Sequence, residues 1–339
     1  IPKESAASPT VATESVFLTS LISAHERRHN RSYDVPSAFV NTDLDEEVNM
    51  VLRGELAELL VKVAPDIYRK YITRDKRGKA ILYVRLQKAL YGLMRAALLF
   101  YRKLRKELEN YGFVVNPEDP CVANKWIVDK AYPEGHQMTV VWHVDDLLVS
   151  CKDTFELTKL QCYLGSIYGP GLTINRGAKH HYLGMDLEFC EDGSLEVGMI
   201  DYVKDVIGDF PEDVGRKSYK TPAASHLFQV REEGKAKALP EEQAVQFHHT
   251  VAQLLFLSGR ARRDIQTAVV FLTTRVKQPD EDDWGKLRRV ILYLNGTRRM
   301  VLKLTIDNLA IIKWWINGSH NVHSDFRGHT GAMMSLGKG

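Results

Sequence analysis

Residues 138–151, MTVVWHVDDLLVSC, place two adjacent carboxylates, Asp145 and Asp146, between two β-prone apolar runs. The pattern predicts a hairpin with acid at its tip. Adjacent carboxylates there can point in different directions. With a third brought close they would form a hard oxygen-donor site for two Mg²⁺ ions, suited to phosphoryl transfer. Asp34 is the best third candidate, because Pro36 forces extended geometry on Val35 and so sets Asp34 at a strand end. An Asp-Asp pair is also an ordinary turn former that water can solvate. The apolar runs on both sides favour the functional reading, since they describe a buried central element whose tip opens on a cleft. His180-His181 and His248-His249 lack further ligands at useful spacing and read as surface or packing residues.

The elements that must position these acids can be traced along the chain. Thr13–Ala24 sets Val16, Leu18, Leu21 and Ile22 near one helical stripe, with Ser8-Pro9-Thr10 as its cap. Ile81–Leu86 is β-rich, and Leu98–Tyr111 is a basic amphipathic helix. Tyr182–Phe189 reads as one strand, followed by a turn at Glu191-Asp192-Gly193. Pro211–Glu242 is polar and broken by prolines, as a linker or surface crossing would be. Val251–Val276 and Asp283–Leu294 carry helical periods, the second with Trp284, Leu287, Ile291 and Leu294 on one face. From Val301 the pattern returns to strand-like alternation.

A chain of 339 residues has room for two or three domains. Lys and Arg number 46 against 43 Asp and Glu, a net +3, so any site for a polyanion must be local. Arg27, Arg28, Arg31, Arg102, Lys103, Arg105 and Lys106 are the local cations that could hold phosphates, with a solvated helix face as the alternative. No window approaches the ~18–20 apolar residues of a membrane span, so no membrane partner is expected. Cys121, Cys151, Cys162 and Cys190 show neither Cys-x-x-Cys nor regular spacing, which fits a reducing compartment better than a disulfide framework. The start at Ile1 and the end at Gly339 read as those of a piece of something longer.

Taken in order, the motifs resemble the reverse transcriptases of copia-type retrotransposons. Asp34-Val35-Pro36-Ser37-Ala38-Phe39 with the acidic run Asp43–Met50 is similar to the family's first catalytic motif, and Lys88–Leu93 to its second. His143-Val144-Asp145-Asp146 resembles the Tyr-Val-Asp-Asp box, and Tyr182-Leu183-Gly184 the primer grip. Arg262-Arg263-Asp264-Ile265 and Tyr293-Leu294-Asn295-Gly296-Thr297 resemble Arg-Pro-Asp-Ile and Tyr-Leu-Lys-Gly-Thr, so the likeness runs from about Ser8 to the end. The resemblance implies that Asp34, Asp145 and Asp146 are catalytic and hold two Mg²⁺. It also implies that Phe39 lies under the nucleotide sugar, where its ring would exclude a ribose 2′ hydroxyl, and that Tyr91 and Gly92 border the incoming nucleotide. Phe39 as a core residue on a short helix, and Tyr91 as a packed aromatic at a helix end, are the competing readings.

The implied fold is α+β, a right-hand polymerase with fingers, palm and thumb and an antiparallel palm sheet. Residues 1–200 would form incomplete fingers and palm, 201–300 a helical thumb or connection, and 301–339 the first part of a ribonuclease H-like domain. The implied partners are an RNA or DNA template with primer, deoxynucleoside triphosphates and other products of the retrotransposon polyprotein. The implied location is a cytoplasmic virus-like particle, or the nucleus with an integration complex. Three departures stand out. His143 replaces the usual Tyr, Met94-Arg95-Ala96-Ala97 replaces Lys-Gln-Ala-Pro, and Asn317 stands where the ribonuclease H motif has its first metal-binding Asp. The rival expectations are a decayed fragment that at most binds nucleic acid, and an unrelated Mg²⁺-dependent phosphohydrolase.

Overall fold

The computed structural model describes residues 7–231, 237–320 and 328–337. The first elements are α1 (Thr13–His25), β1 (His29–Asp34), β2 (Asp43–Arg53), α2 (Glu55–Val63), α3 (Pro65–Tyr68), β3 (Thr73–Arg74) and β4 (Ala80–Lys88). Then come α4 (Ala96–Asn110), β5 (Val114–Val115), β6 (Val122–Ile127), β7 (His136–His143), β8 (Asp146–Cys151), α5 (Thr154–Tyr168) and β9 (Thr173–Arg176). Next are β10 (Lys179–Tyr182), β11 (Met185–Phe189), β12 (Leu195–Gly198), α6 (Ile200–Asp209) and α7 (Glu241–Ser258). The chain ends with α8 (Gln266–Thr273), α9 (Glu281–Gly296), β13 (Leu302–Leu304), β14 (Lys313–Gly318) and β15 (Thr330–Ser335). This is an α+β chain.

Two compact units divide the chain. The first comprises residues 1–11, 33–147 and 155–174, and the second 12–32, 148–154 and 175–339. A six-stranded sheet runs in the order β5-β6-β7-β8-β1-β9, and the division falls inside β1, β8 and β9. The strand ends that carry Asp34 and Asp146 belong to the first unit. β7 and β8 are the buried apolar runs expected from the sequence: Met138–Trp142 and Leu147–Cys151 are buried throughout. A second sheet of the first unit, β2-β4-β3, covers a small core of Ala57, Ala80 and Leu82, with Leu52, Leu60 and Tyr68 against it. α4 buries Leu98, Leu99, Phe100, Leu104 and Leu108 and turns Arg102, Arg105 and Lys106 outward, which is why a basic sequence folds as a helix here.

The second unit holds the antiparallel sheet β10-β11-β12-β13 and helices α6–α9. α9 starts at a capping box: Asp280 accepts the amides of Asp282 and Asp283, and Asp283 accepts the amide of Asp280. Its apolar face of Trp284, Leu287, Ile291 and Leu294 is buried as the period predicts. Between α6 and α7 the described residues form no helix or named strand, in keeping with the polar, proline-broken sequence.

Several expectations are corrected. α1 is capped at Ala12 without a side-chain hydrogen bond, so Ser8-Pro9-Thr10 is not its cap. Leu18 is exposed, and Ser20, Ser23 and Ala24 complete the buried face, because small residues allow a close approach that an apolar stripe does not reveal. Tyr182–Phe189 is two antiparallel strands rather than one, with Tyr182 paired to Met185 across the Leu183-Gly184 turn. In the tail, β13 is the fourth strand of the second unit's sheet, whereas β14 and β15, among the described residues, pair with each other alone. Trp314, Trp315 and Ile316 in β14 are exposed.

Candidate active site

β1 ends at Asp34, and the amide of Val35 donates to the carbonyl of Asp145 at 3.2 Å. That bond ties the first acidic strand end to the connection between β7 and β8, which is Val144-Asp145 alone. Asp34 and Asp146 are exposed and Asp145 is half-buried, so all three carboxylates sit where solvent or a ligand reaches them. Val144 has φ of +56°, a left-handed conformation that a β-branched residue adopts only when its surroundings enforce it. Behind the tip, Trp142 is buried and stacks on Tyr101 at 6.2 Å. His143 is half-exposed, and its Nδ1 is buried without a hydrogen-bond partner.

The loop after Asp34 is held at several points. Asn41 Nδ2 donates to the Pro36 carbonyl at 3.1 Å, Thr42 Oγ1 to Ala38 at 3.1 Å, and Lys103 Nζ to Asn41 at 2.5 Å. Thr42 also accepts the amide of Ala89 at 2.9 Å, which brings the first motif against the second. Phe39 lies in turns rather than on a short helix. It is buried, with its ring 4.5 Å from Tyr91 and 6.4 Å from Phe100. Tyr91 is exposed on its other side, so it is not the packed helix-end residue of the competing reading. Gly92 has φ of +93° and open space where a Cβ would stand, so the backbone there is available to a ligand.

Tyr182, Leu183 and Gly184 belong to the second unit. Tyr182 is buried, and Leu183 and Gly184, both with positive φ, make the tight turn between β10 and β11. The ring of Phe256 on α7 lies 3.5 Å from the position a Cβ on Gly184 would take. Non-glycine residues at positive φ in the structure are Arg27, Ser37, Val144 and Leu183. The last three fall inside the motifs that carry Asp34, Asp145 and Tyr182.

Electrostatics around the second motif were not anticipated. Asp43 pairs with Lys88 at 2.5 Å, and hydrogen bonding to Lys88 and its charge hold the Asp43 carboxyl below the usual range. Arg95 reaches Asp45 at 2.7 Å and Glu46 at 3.5 Å. The register between β2 and β4 shifts between Asp43 and Val48, and that irregularity carries both carboxylates. Among the cations proposed to hold phosphates, Arg28 and Arg31 are instead buried. Arg28 bonds Glu26 at 2.9 Å and Ser150 at 3.5 Å, and Arg31 bonds the Thr154 carbonyl at 3.4 Å. Arg105 pairs with Glu109 on its own helix. His180 is packed between Ser32 and the Gly177 carbonyl, and burial lowers its pKa; His248 and His249 are exposed.

The two later motifs meet in one network. Arg262, fully buried, pairs with both oxygens of Asp264 at 2.9 and 2.7 Å and donates to the carbonyl and hydroxyl of Thr297. Tyr293 donates its hydroxyl to Asp264 at 2.8 Å. These residues clamp the start of α8 to the end of α9, a structural role that spacing alone does not reveal.

No three His, Cys, Asp or Glu side chains among the described residues gather into a metal-holding group. Mg²⁺ is commonly bound through one or two carboxylates together with substrate phosphates and water. Asp34 and Asp145 on tethered, accessible chain segments fit that donor requirement without a preformed cage. All four cysteines are free, and burial raises the Cys121 thiol to about 12, which keeps it protonated.

The structure thus has an accessible acidic tip on a buried hairpin, tied through Val35 to a second acidic strand end. Residues 3–223 match the family described as reverse transcriptase (RNA-dependent DNA polymerase), and the chain belongs to that family. It is 24% identical over 299 residues to the retrovirus-related Pol polyprotein from transposon TNT 1-94 of Nicotiana tabacum, covering 86% of this chain and 20% of that protein. It is 23% identical over 305 residues to a putative transposon Ty5-1 protein of Saccharomyces cerevisiae, covering 89% and 88%. The Pol polyprotein from transposon RE2 of Arabidopsis thaliana is 25% identical over 290 residues, covering 86% of this chain and 18% of that one. The resemblance to copia-type retrotransposon polymerases is thereby shown, and the chain spans about a fifth of the two plant polyproteins. A truncated apo telomerase from Candida tropicalis aligns at a TM-score of 0.30 and 14% identity, covering 53% of this chain and 39% of that one.

Proposed function

We propose that this chain is the RNA-directed DNA polymerase segment of a copia-type retrotransposon polyprotein, adding deoxynucleotides to a primer 3′ hydroxyl. The bond from Val35 to Asp145 supports this most directly, because it tethers Asp34 to the acid-tipped hairpin. On this reading the six-stranded sheet is the palm, the β2-β4-β3 sheet with α2 the fingers, and α6–α9 the thumb or connection. Within the segment from Val301, β13 belongs to the β10-β11-β12 sheet, and the part after it would open a ribonuclease H-like domain. Polymerases of this family work with divalent metal ions. Asp34 and Asp145 would hold two Mg²⁺, with Asp146 assisting, and such ions when bound activate the 3′ hydroxyl and stabilise departing pyrophosphate.

The protein's own part is positioning. Gly92 gives the nucleotide close approach to backbone, Tyr91 presents an exposed ring, and Phe39 behind it limits space at the sugar 2′ position. Tyr182, Leu183 and Gly184 would hold the primer end. A template with primer, deoxynucleoside triphosphates and other polyprotein products are the partners of this reading, and a cytoplasmic virus-like particle or a nuclear integration complex its setting. The test is primer extension on an RNA template with Mg²⁺. Asp145→Asn should lower extension by orders of magnitude and leave template–primer affinity nearly unchanged, because affinity rests on cations. Extension above about a tenth of the parent rate would remove Asp145 from the metal site. A catalytically decayed copy is the second reading, favoured by Asn317 in place of the expected Asp.

A further inference from the structure

The acidic run at the start of β2 is fully engaged with cations of the first unit. Asp43 pairs with Lys88 at 2.5 Å and Glu47 with Arg85 at 3.8 Å, both from β4. Asp45 meets Arg95 at 2.7 Å and Arg102 at 3.9 Å, and Glu46 meets Arg95 at 3.5 Å. These carboxylates are therefore committed to the protein itself rather than offered to a metal ion. Arg95 contributes most to that arrangement. One guanidinium spans two carboxylates, its side chain is 19% exposed, and its Nε is buried without an acceptor.

The two strongest of these pairs bracket the segment that carries Tyr91 and Gly92. On one side Lys88 holds Asp43, and the amide of Ala89 donates to Thr42 at 2.9 Å. On the other, Arg95 holds Asp45 and Glu46 just before α4 begins. Between these tethers, Leu93 donates to the Leu90 carbonyl at 3.2 Å and Ala96 to the Leu93 carbonyl at 3.1 Å, while the Tyr91 ring lies 4.5 Å from Phe39. Tyr91 and Met94 are exposed, and Gly92 takes φ of +93°. A turn with so little packing of its own takes its position from its fixed ends. Residues 89–94, Ala-Leu-Tyr-Gly-Leu-Met, carry no charge, so the segment can act on a nucleotide through shape and backbone but not through a cation of its own.

We propose that Arg95 is a positioning residue for the incoming nucleotide, holding the Tyr91-Gly92 turn in place through its shared ion pair with Asp45 and Glu46. The proposal rests on the polymerase reading and gives a role to a residue that stands where the resembling family has Gln, so this tether is a property of the present chain. Ordering the turn before the nucleotide arrives lowers the cost of binding it.

The test is steady-state primer extension by the whole chain, with KM for the deoxynucleotide and kcat read separately. Arg95→Gln should raise KM about fivefold, the upper end for a partly exposed ion pair, with kcat, template–primer affinity and melting temperature near those of the parent. Asp45→Asn combined with Glu46→Gln should raise KM by a similar factor, and adding Arg95→Gln to that pair should raise it no further, because all three changes break one interaction. Arg95→Lys should recover part of the loss. A fall in KM when the two carboxylates are neutralised would mean that a released Arg95 binds the triphosphate directly, and would overturn the positioning role. An unchanged KM in Arg95→Gln, or loss of kcat in step with melting temperature, would overturn it as well while leaving the polymerase reading intact. A parent chain that extends no primer would overturn both.

Discussion

Burial would by itself raise the Asp264 carboxyl, yet hydrogen bonds from Arg262 and Tyr293 and the guanidinium charge leave it below the usual range. The stabilisation this carries is present above the unfolded carboxylate value of about 3.9 and is lost as pH falls through the lowered folded value. Replacing Arg262 leaves Asp264 without its charge partner and the Thr297 carbonyl without one of its donors. Arg262→Met should therefore cost about 3–5 kcal/mol in denaturant unfolding near neutral pH, with a smaller loss in acid. A cost that does not shrink on acidification would place the stabilisation outside the Arg262–Asp264 pair. Phe39 stands on a different footing, being buried against Tyr91 and Phe100 while its loop carries Asp34. Phe39→Ala should cost about 3 kcal/mol and relax discrimination against ribonucleotides, read as the ratio of deoxy- to ribonucleotide incorporation. An unchanged ratio would assign the ring to packing alone.

At the scale of elements, the hairpin of β7 and β8 concentrates the argument, because buried strands force an unfavourable turn to hold acid at their tip. Val144→Asn should relieve left-handed strain and raise stability by about 1 kcal/mol, since Asn tolerates that conformation better. It should also slow extension by loosening the tip. Stability rising with extension unchanged would show that the strain does not position Asp145. This hairpin was legible in the sequence because both its strands are apolar and its turn is only two residues long. α4 and α9 were legible through their periods and, for α9, a buried stripe of four apolar residues. β2 was not: its alternation is masked by the acidic run Asp43–Glu47, which makes sense only once Lys88 and Arg95 are seen opposite. α1 misled at Leu18 because its buried face is built from serine and alanine. Arg28 and Arg31 look like phosphate contacts in one dimension, and only burial against Ser150 and Thr154 shows otherwise.

Across the whole molecule, polar and apolar surfaces are unevenly matched, and the tail shows it most. β14 exposes Trp314, Trp315 and Ile316, and β15 exposes Met333 and Met334, so this two-stranded ribbon has apolar side chains in water rather than against a core. Among the described residues the outer edges of this ribbon have no strand partner, which invites association between copies. Asn317 lies exposed within β14, where a neutral amide offers an oxygen donor without the charge that attracts Mg²⁺. The purified chain should therefore show no cleavage of the RNA strand in an RNA–DNA hybrid at any Mg²⁺ or Mn²⁺ concentration, and Asn317→Asp alone should not create it. It should also associate with increasing concentration, whereas Trp314→Lys combined with Ile316→Lys should reduce both that association and the binding of an apolar dye. Light scattering and dye fluorescence on parent and double variant measure the second expectation. Hybrid digestion that survives Asp145→Asn but vanishes on deleting residues 309–339 would mean that the tail builds a nuclease site and that its exposed ribbon is not merely a hydrophobic liability.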